Sequence, residues 1–234
     1  MRIPELSNRL MSAVGFVRGG MLADIGTDHA HLPVYLYNSA RIQGAVAADI
    51  NRGPLDRAKA NIALCGAEKG VTTVLSDGLA KIEPYHPDDI VIFGMGGELI
   101  VRIIDAAPWV MDPSIRLILQ PMTKQEEVRA FLLERGFAIA DEVLTEDDGK
   151  IYQTLCAEYA PSREALPYSR LEYVLGRHNI ERGGALFERF LQHRIRVMTV
   201  AREGKRLAGK VDAEEDALIE ALEGLMADIN KEVE

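Results

Sequence analysis

The stretch MLADIGTDHAHLP, residues 21–33, decides the fold of this chain. It begins with a nearly continuous apolar run, as expected of a strand that is covered on both faces of a parallel sheet. Gly26 follows this run directly, and a glycine there permits a sharp turn and a close approach of the backbone to a ligand. Residues 32–40 then have the apolar spacing of a helix. The stretch therefore predicts a strand, a ligand-binding turn and a helix, in that order.

Outward from this unit, apolar runs continue to alternate with helical stretches. This alternation predicts a parallel sheet with right-handed crossovers. Two final strands joined by Asp147-Asp148-Gly149, a typical tight-turn sequence, add an antiparallel hairpin. The sequence thus predicts an α/β fold with a Rossmann-like, seven-stranded sheet. The predicted strands are 21–26, 44–50, 72–76, 89–94, 116–120, 137–146 and 150–158, and the predicted helices are 4–18, 32–40, 54–65, 99–107 and 124–135.

The pattern changes after Tyr159. Pro161 and Pro167 interrupt the chain, and two long helical stretches follow at 185–208 and 212–232. Apolar residues recur in them at heptad-like steps, which is typical of paired helices. At 234 residues the chain is long enough for one full α/β domain and a smaller one. We therefore predict two domains, 1–160 and 161–234, the second a helical, coiled-coil-like antiparallel pair.

Charge is unevenly distributed along the chain. The net charge is −9, yet residues 161–210 carry +6 between regions of −7 and −8. One interpretation is a basic helix held against an acidic helix, and charge alone favours it. The other is a surface that contacts phosphates. The arginines concerned are Arg177, Arg182, Arg189, Arg194, Arg196 and Arg202.

Several classes of protein are disfavoured by composition. No apolar run is long enough to span a bilayer, and the N-terminus lacks the apolar segment of a secretory signal. Two cysteines, Cys65 and Cys156, make no disulfide framework, so a reducing, cytoplasmic environment is expected. His29 and His31 are two residues apart with no cysteine beside them, which disfavours a metal site.

Acidic residues around Gly26 narrow the class of ligand. The dinucleotide fingerprint G-x-G-x-x-G is absent because Asp28 stands at the second glycine, which disfavours a nicotinamide or flavin dehydrogenase. Asp24 and Asp28 would repel a pyrophosphate. They would attract the sulfonium and ammonium groups of S-adenosylmethionine. The sequence therefore favours a cationic adenosine cofactor.

Further candidates end the later strands. Asp49 could accept both ribose hydroxyls of an adenosine cofactor, or cap the next helix. Asp77 could accept from an adenine amino group, or serve as a turn residue. Three glycines within residues 94–97 allow the close backbone approach expected where a methyl donor meets its acceptor. Gln120 and Pro121 would line the same cleft, or belong to the loop after the fifth strand.

Together these motifs resemble the TrmK family, the bacterial tRNA adenine-22 N1-methyltransferases. The resemblance spans residues 5–158 and implies a class I methyltransferase sheet, S-adenosylmethionine as methyl donor and tRNA as acceptor. Met122 departs from the family pattern, which has asparagine there, and Asp49 stands where some members carry glutamate. The motifs are DIGTDHAHLP at 24–33, SDGL at 76–79, GMGGELI at 94–100, LQP at 119–121 and DGKIY at 148–152, with LSNRL at 6–10 similar to the opening helix of the family.

The candidate residues fall into three groups on this resemblance. Catalytic candidates are Asp28, Gly94 and Met95. Cofactor-binding candidates are Asp24, Gly26, Thr27, Asp28, His29, Leu32, Asp49, Ile50, Asp77, Gly78, Gly94, Met95 and Gly96. Candidates for tRNA contact are Arg9, Gln120, Pro121, Arg189 and Arg196.

The expected reaction needs no base, because N1 of neutral adenine already carries a free lone pair. Orientation should then dominate catalysis. Asp28 could stabilise the developing positive charge, position the base, bind the cofactor ammonium or cap the following helix. A small-molecule methyltransferase, a nicotinamide-binding oxidoreductase and a non-catalytic RNA-binding or interaction module remain alternatives. Both a monomer and a dimer are compatible with the sequence.

Overall fold

The computed structural model describes residues 2–162 and 167–232. The chain divides into two compact units, Met1–Ala165 and Leu166–Glu234. Parts of the predicted helical domain, residues 163–166 and 233–234, lie outside the described residues. Within the described part of the chain, no helix has both the length and the apolar character that crossing a bilayer requires.

The first unit is built on a seven-stranded sheet with the order β3-β2-β1-β4-β5-β7-β6. Strands β1 to β5 are parallel, whereas β7 runs antiparallel to both β5 and β6. The prediction of a parallel sheet closed by an antiparallel hairpin is therefore confirmed. The strands are β1 Met21–Ile25, β2 Gly44–Asp49, β3 Val71–Leu75, β4 Asp89–Met95, β5 Arg116–Pro121, β6 Phe137–Asp147 and β7 Lys150–Tyr159.

Within residues 2–162, five helices accompany the sheet, and the first is much shorter than predicted. The expected helix over 4–18 is wrong at both ends, because Ser7 caps the helix by accepting from Leu10 N and Gly15 ends it. The helices are α1 Asn8–Val14, α2 His31–Asn38, α3 Arg52–Cys65, α4 Gly97–Asp105 and α5 Gln125–Glu134, with 3₁₀ turns at Glu83–Tyr85 and Pro108–Val110.

The core lies on both faces of the sheet. Alternate residues such as Leu22, Ala45 and Val91 pack in a cluster with α1, α2 and α3. The residues between them, such as Ala23 and Ile92, are fully buried as well. This double coverage explains why the central strands are apolar without a polar alternation.

The second unit is helical and contains two helices that the sequence prediction missed. Helix α6 begins with a capping box, in which Ser169 Oγ accepts from Glu172 N and the Glu172 carboxylate accepts from Ser169 N. The spacing S-x-x-E was readable in the sequence. The helices are α6 Arg170–Leu175, α7 Arg177–Arg182, α8 Ala185–Leu207 and α9 Ala213–Glu232.

Helices α8 and α9 are in contact with each other. Each has buried apolar side chains, which are Phe187, Phe190 and Leu191 on α8 and Leu218, Ile219 and Leu222 on α9. Gly209, with φ +73°, lies in the turn between them, as predicted. Near this turn Lys205 Nζ lies 2.9 Å from Glu215, and Arg206 Nη2 lies 2.8 Å from Asp216. These contacts support the interpretation of a basic helix held against an acidic one.

Candidate active site

A cavity of about 230 Å³ lies at the carboxyl ends of β1 and β4, where the strand order reverses direction. In open α/β sheets this is the usual position of a ligand. The cavity brings together side chains from β1, its following loop, β4 and α1. Its lining residues are Arg9, Leu10, Asp24, Gly26, Thr27, Asp28, His29, Ala30, His31, Leu32 and Phe93.

The loop after β1 is pinned by backbone hydrogen bonds. Gly26 N and Thr27 N both donate to Ala48 O, at 2.8 and 3.0 Å. Gly26 has φ +80°, and a Cβ at this position would lie 2.3 Å from Cε of Met95. The turn therefore requires glycine for its backbone angle, whereas the Met95 methyl group lies at the end of a flexible side chain and can move aside.

Asp24 is a partly buried carboxyl at the end of β1. Burial raises the pKa of Asp24 to about 6, with a hydrogen bond from Thr27 acting against the shift and the charge of Asp49 adding to it. The cavity thus disfavours an isolated negative charge at this carboxyl. A cation bound beside it would favour the charged form.

Asp28 lies at the rim of the cavity, with 59% of its side chain exposed. Its Oδ1 accepts from Arg57 Nε at 2.8 Å, and its Oδ2 is 3.3 Å from His29 Nε2. Among the described residues, no side chain caps the N-terminus of α2, where the capping position is Ala30. The helix-capping role considered for Asp28 is therefore absent, and Arg57 from α3 holds this carboxylate instead.

The two histidines of the loop face each other. The rings of His29 and His31 are 5.3 Å apart in an edge-on arrangement. Burial lowers the pKa of His31, and the nearby His29 adds to that effect. No group of three or more histidine, cysteine or carboxylate side chains that could hold a metal ion occurs within residues 2–162 or 167–232.

The candidates on β2 and β3 lie outside the cavity lining, at the neighbouring strand ends. Asp49 Oδ1 accepts from Asn51 N at 2.7 Å, while Asn51 occupies the capping position of α3. Ile50 is 59% exposed, which is unusual for so large an apolar residue. Gly78 has φ +52°, and a Cβ there would lie 2.9 Å from Ile103, so the turn beside Asp77 also needs glycine.

Gly94, at the end of β4, and Gly97, at the start of α4, are glycines for different structural reasons. The register with β5 shifts between Phe93 and Met95, so Gly94 is the extra residue of a bulge, with φ +76°. A Cβ on Gly94 would lie 3.1 Å from Arg9 Nη1. A Cβ on Gly97 would lie 2.6 Å from Lys124 O, at the start of α4. The backbone is therefore closely approached at both positions.

Arg9 connects α1 to the ends of β5, β6 and β7. Its Nη1 donates to Gln120 Oε1 at 3.1 Å, and its backbone N–H donates to Asp147 Oδ2 at 3.3 Å. Its guanidinium carbon lies 5.7 Å from the ring centre of Tyr152. Gln120 is fully buried, and its Oε1 also accepts from Gly94 N at 3.2 Å. Gln120 Nε2 donates to the sulfur of Met122 at 3.4 Å.

The structure brings most of the predicted site residues to one edge of the sheet. Tyr152 and Arg57 were missed, although Tyr152 belongs to the DGKIY motif at 148–152. Arg189 and Arg196 lie on α8 of the second unit and are exposed. Arg196 Nη2 is 3.2 Å from His193 Nδ1.

Known proteins resemble this chain over most of its length. A family model described as a methyltransferase domain matches residues 6–155. The tRNA (adenine(22)-N(1))-methyltransferase of Bacillus subtilis is 38% identical over 162 residues, which are 69% of this chain and 68% of that protein.

Two solved structures extend the likeness to the helical unit. The B. subtilis m1A22 tRNA methyltransferase TrmK superposes with a TM-score of 0.85 at 30% identity, covering 95% of this chain and 99% of that one. Streptococcus pneumoniae Sp1610, in complex with S-adenosyl-L-methionine, gives 0.83 at 28% identity, covering 95% and 100%.

Proposed function

This chain belongs to the TrmK family of S-adenosylmethionine-dependent methyltransferases, and from that premise we propose that it methylates N1 of adenine 22 in tRNA. The observation that carries the proposal is the cavity at the ends of β1 and β4, where two carboxylates, a glycine turn and an arginine meet. These groups fit a cofactor that carries an ammonium, a carboxylate and a sulfonium group, and they do not fit a pyrophosphate.

The residues present suit S-adenosylmethionine. Asp24 is a carboxyl that a bound cation would help to ionise, and Gly26 provides a turn that a side chain would fill. Binding pockets for drug-sized ligands measure roughly 300–1,000 Å³, so a cavity of about 230 Å³ suits one end of the cofactor. In the proposal Thr27, His29 and Leu32 complete the wall around that end.

The adenosine end would lie along the strand ends outside this cavity. Asp49 would accept from the ribose hydroxyls, and exposed Ile50 would offer an apolar surface to the adenine. Asp77 and Gly78 would line the far side of the base. Each of these residues ends or follows a parallel strand, so their positions relative to Gly26 are set by the sheet register.

The cofactor supplies an electrophilic methyl group: the N1 lone pair forms the new C–N bond while the C–S bond breaks, leaving S-adenosylhomocysteine. The chain therefore has to orient the adenine and tolerate a positive charge on its ring. Asp28, held by Arg57, places a carboxylate at the cavity rim for that purpose. The backbone of Gly94, Met95 and Gly96 would pass close to the acceptor. Gln120 and Pro121 would bound it from β5.

The acceptor nitrogen lies on the Watson–Crick edge, so adenine 22 has to be unpaired or extruded before it can react. We propose that exposed basic residues of α8, including Arg189 and Arg196, contact tRNA phosphates. We also propose a cytoplasmic location, which two free, buried cysteines support.

The test is methyl transfer from labelled S-adenosylmethionine to unmodified tRNA transcripts, with nucleosides identified by mass spectrometry. We expect 1-methyladenosine in the digest, and none when adenine 22 is replaced by guanine. If the tRNA acquires no label although the protein measurably binds the cofactor, the tRNA assignment is overturned and a small-molecule acceptor is favoured. An Asp28→Ala variant that binds cofactor but does not methylate would place Asp28 in the chemistry.

A further inference from the structure

We propose that Arg9 binds the α-carboxylate of the cofactor and so selects S-adenosylmethionine with an intact amino-acid end. The inference deepens the cofactor part of the proposed function and does not depend on tRNA as the acceptor. Arg9 was a candidate for tRNA contact on the sequence alone. Its position in the structure favours the cofactor, for three reasons.

The first reason is where the guanidinium lies. Among the described residues, Arg9 is the only arginine or lysine that lines the cavity, which it shares with Asp24, Gly26 and Asp28. Its Nη1 would lie 3.1 Å from a Cβ placed on Gly94. The cation therefore sits against the backbone at the end of β4, inside the cofactor site, while Arg189 and Arg196 lie on the surface of α8.

The second reason is that the guanidinium is held in place with donors to spare. Gln120 Oε1 fixes Nη1, and the Tyr152 ring lies beside the guanidinium carbon. A guanidinium has five N–H donors in a planar fork, which suits bidentate binding of a carboxylate. Within the described part of the chain, Gln120 is the one hydrogen-bond acceptor of this guanidinium, so further donors remain for a ligand.

The third reason is charge complementarity. One cavity contains carboxyls on the β1 side and a cation on the α1 side. An amino acid presents the same pair of charges in reverse, because its ammonium and carboxylate are bonded to one carbon atom. A phosphodiester carries no cation for Asp24 and Asp28, and these two groups would repel it. The arrangement therefore fits a zwitterion better than a nucleic-acid backbone.

Gln120 acts in this scheme as a positioning residue. Its fully buried amide oxygen accepts from Gly94 N and from Arg9 Nη1 at once. It thereby fixes the distance between the bulge of β4 and the guanidinium. Removing the Gln120 amide leaves the Arg9 guanidinium in the cavity but takes away the hydrogen bond that orients it.

The experiment compares two ligands by titration calorimetry, S-adenosylmethionine and decarboxylated S-adenosylmethionine, with no tRNA present. We expect the unaltered protein to prefer the carboxylated cofactor on the order of 10- to 100-fold, the range for hydrogen bonds to charged groups. In Arg9→Met the two affinities should become nearly equal, because only binding of the carboxylated ligand weakens. Gln120→Met should lower the preference by a smaller factor.

Arg41→Met is the matched control, because it removes the same charge from an exposed arginine that precedes β2. It should keep the full preference. A preference that survives in Arg9→Met, or an equal loss of affinity for both ligands, would overturn the inference. Because tRNA is absent, a protein with the preference but without tRNA methylation would refute the proposed acceptor and leave the role of Arg9 standing.

Discussion

Gly26 turns the backbone with φ +80° at the end of β1, and Met95 packs over the space where its side chain would be. The loop cannot relax easily, because Gly26 N and Thr27 N are both bonded to Ala48 O. The requirement for glycine is therefore mainly one of backbone angle, because the Met95 methyl group ends a flexible side chain and can shift. This requirement is local to the proposed cofactor site.

Replacing Gly26 by alanine should weaken cofactor binding at least tenfold and destabilise the fold by about 1–2 kcal/mol, the cost of a left-handed backbone for a residue with a Cβ. Calorimetric titration with S-adenosylmethionine and thermal unfolding measure the two effects. Gly204→Ala is the control, because that helical glycine has nothing within 4 Å of its Cβ position. It should stabilise the protein slightly. Equal effects of the two substitutions would contradict the argument from the backbone angle of Gly26.

Asp24 should make both stability and cofactor affinity depend on pH. Its pKa is raised from its ordinary value of 3.8 to about 6 in the folded state. Native protein therefore binds more protons than unfolded protein between these values, and the contribution to stability is full below the lower value and lost as pH rises through about 6. The ligand cation needs the charged form, so affinity should rise as pH passes through the same range.

The Asp24→Asn variant should be more stable than the unaltered protein near pH ~7 and should lose this rise in affinity. Denaturant unfolding and calorimetry between pH ~5 and ~8 provide the measurements. Asp56→Asn, at an exposed site on α3, is the control and should change neither curve. His29 and His31 line the same cavity and are present in every variant. A difference between the curves of Asp24→Asn and those of the unaltered protein is therefore assigned to Asp24. An unchanged profile in Asp24→Asn would refute the assignment.

At the scale of elements, the closing hairpin is fastened to α5 by a buried polar network. Arg129 and Glu142 both have fully buried side chains, and Arg129 Nε donates to Glu142 Oε1 at 2.7 Å. Arg129 Nη2 donates to Gln153 Oε1, also at 2.7 Å. The network joins α5, β6 and β7, and the tip of the same hairpin contacts Arg9 through Asp147. The hairpin therefore supports the wall of the proposed cofactor site.

Arg129→Met should destabilise the protein by about 3–5 kcal/mol, because it leaves the Glu142 carboxylate buried without its charged partner. Combining it with Glu142→Leu should recover much of that loss, since a well-packed apolar pair is often neutral. Urea unfolding measures both variants. Arg135→Met removes a half-exposed partner of Asp105 and should cost at most about 1 kcal/mol. Equal costs for the buried and exposed pairs would contradict the burial argument.

Element prediction succeeded where the signals were local and failed where they were short. The strands are confirmed within a residue or two, because apolar runs mark them in the sequence, and Gly26 directly follows the run of β1. Helix α1 was predicted too long, because apolar spacing continues past the cap at Ser7. Helices α6 and α7 have six residues each, too few for a clear period.

On the scale of the whole molecule, the acidic and basic regions have different proposed roles, the first in cofactor binding and the second in tRNA binding. The net charge of −9 would repel tRNA, so binding should depend on the basic band at residues 161–210. Part of that band is neutralised by α9, since Lys205 and Arg206 pair with Glu215 and Asp216. Exposed basic residues elsewhere on α8 are the better candidates for phosphate contact.

Arg196→Gln should weaken tRNA binding to a similar extent for different tRNA sequences and reduce the slope of log affinity against log salt by roughly one. Filter binding over a range of salt concentrations gives that slope. Arg206→Gln is the matched control, because its guanidinium is already paired with Asp216. It should change the slope by much less. A larger effect in the control would indicate that the pair opens to contact tRNA.

The sequence by itself determined the strands, most of the helices, and the residues that end each strand. Hydrophobic period, glycines and capping residues act over a few positions, so one sequence displays them directly. The cofactor class followed as well, because Asp24 and Asp28 flank a glycine turn without the second glycine of a dinucleotide site.

Only the tertiary structure decided the strand order, the partner of Asp28 and the place of Arg9. Arg9 and Gln120 are 111 positions apart in the chain, and Arg57 and Asp28 are 29 apart. Burial likewise decides the raised pKa of Asp24. These properties depend on which distant segments the folded sheet brings together, and no local pattern carries that information because packing against the rest of the chain determines it.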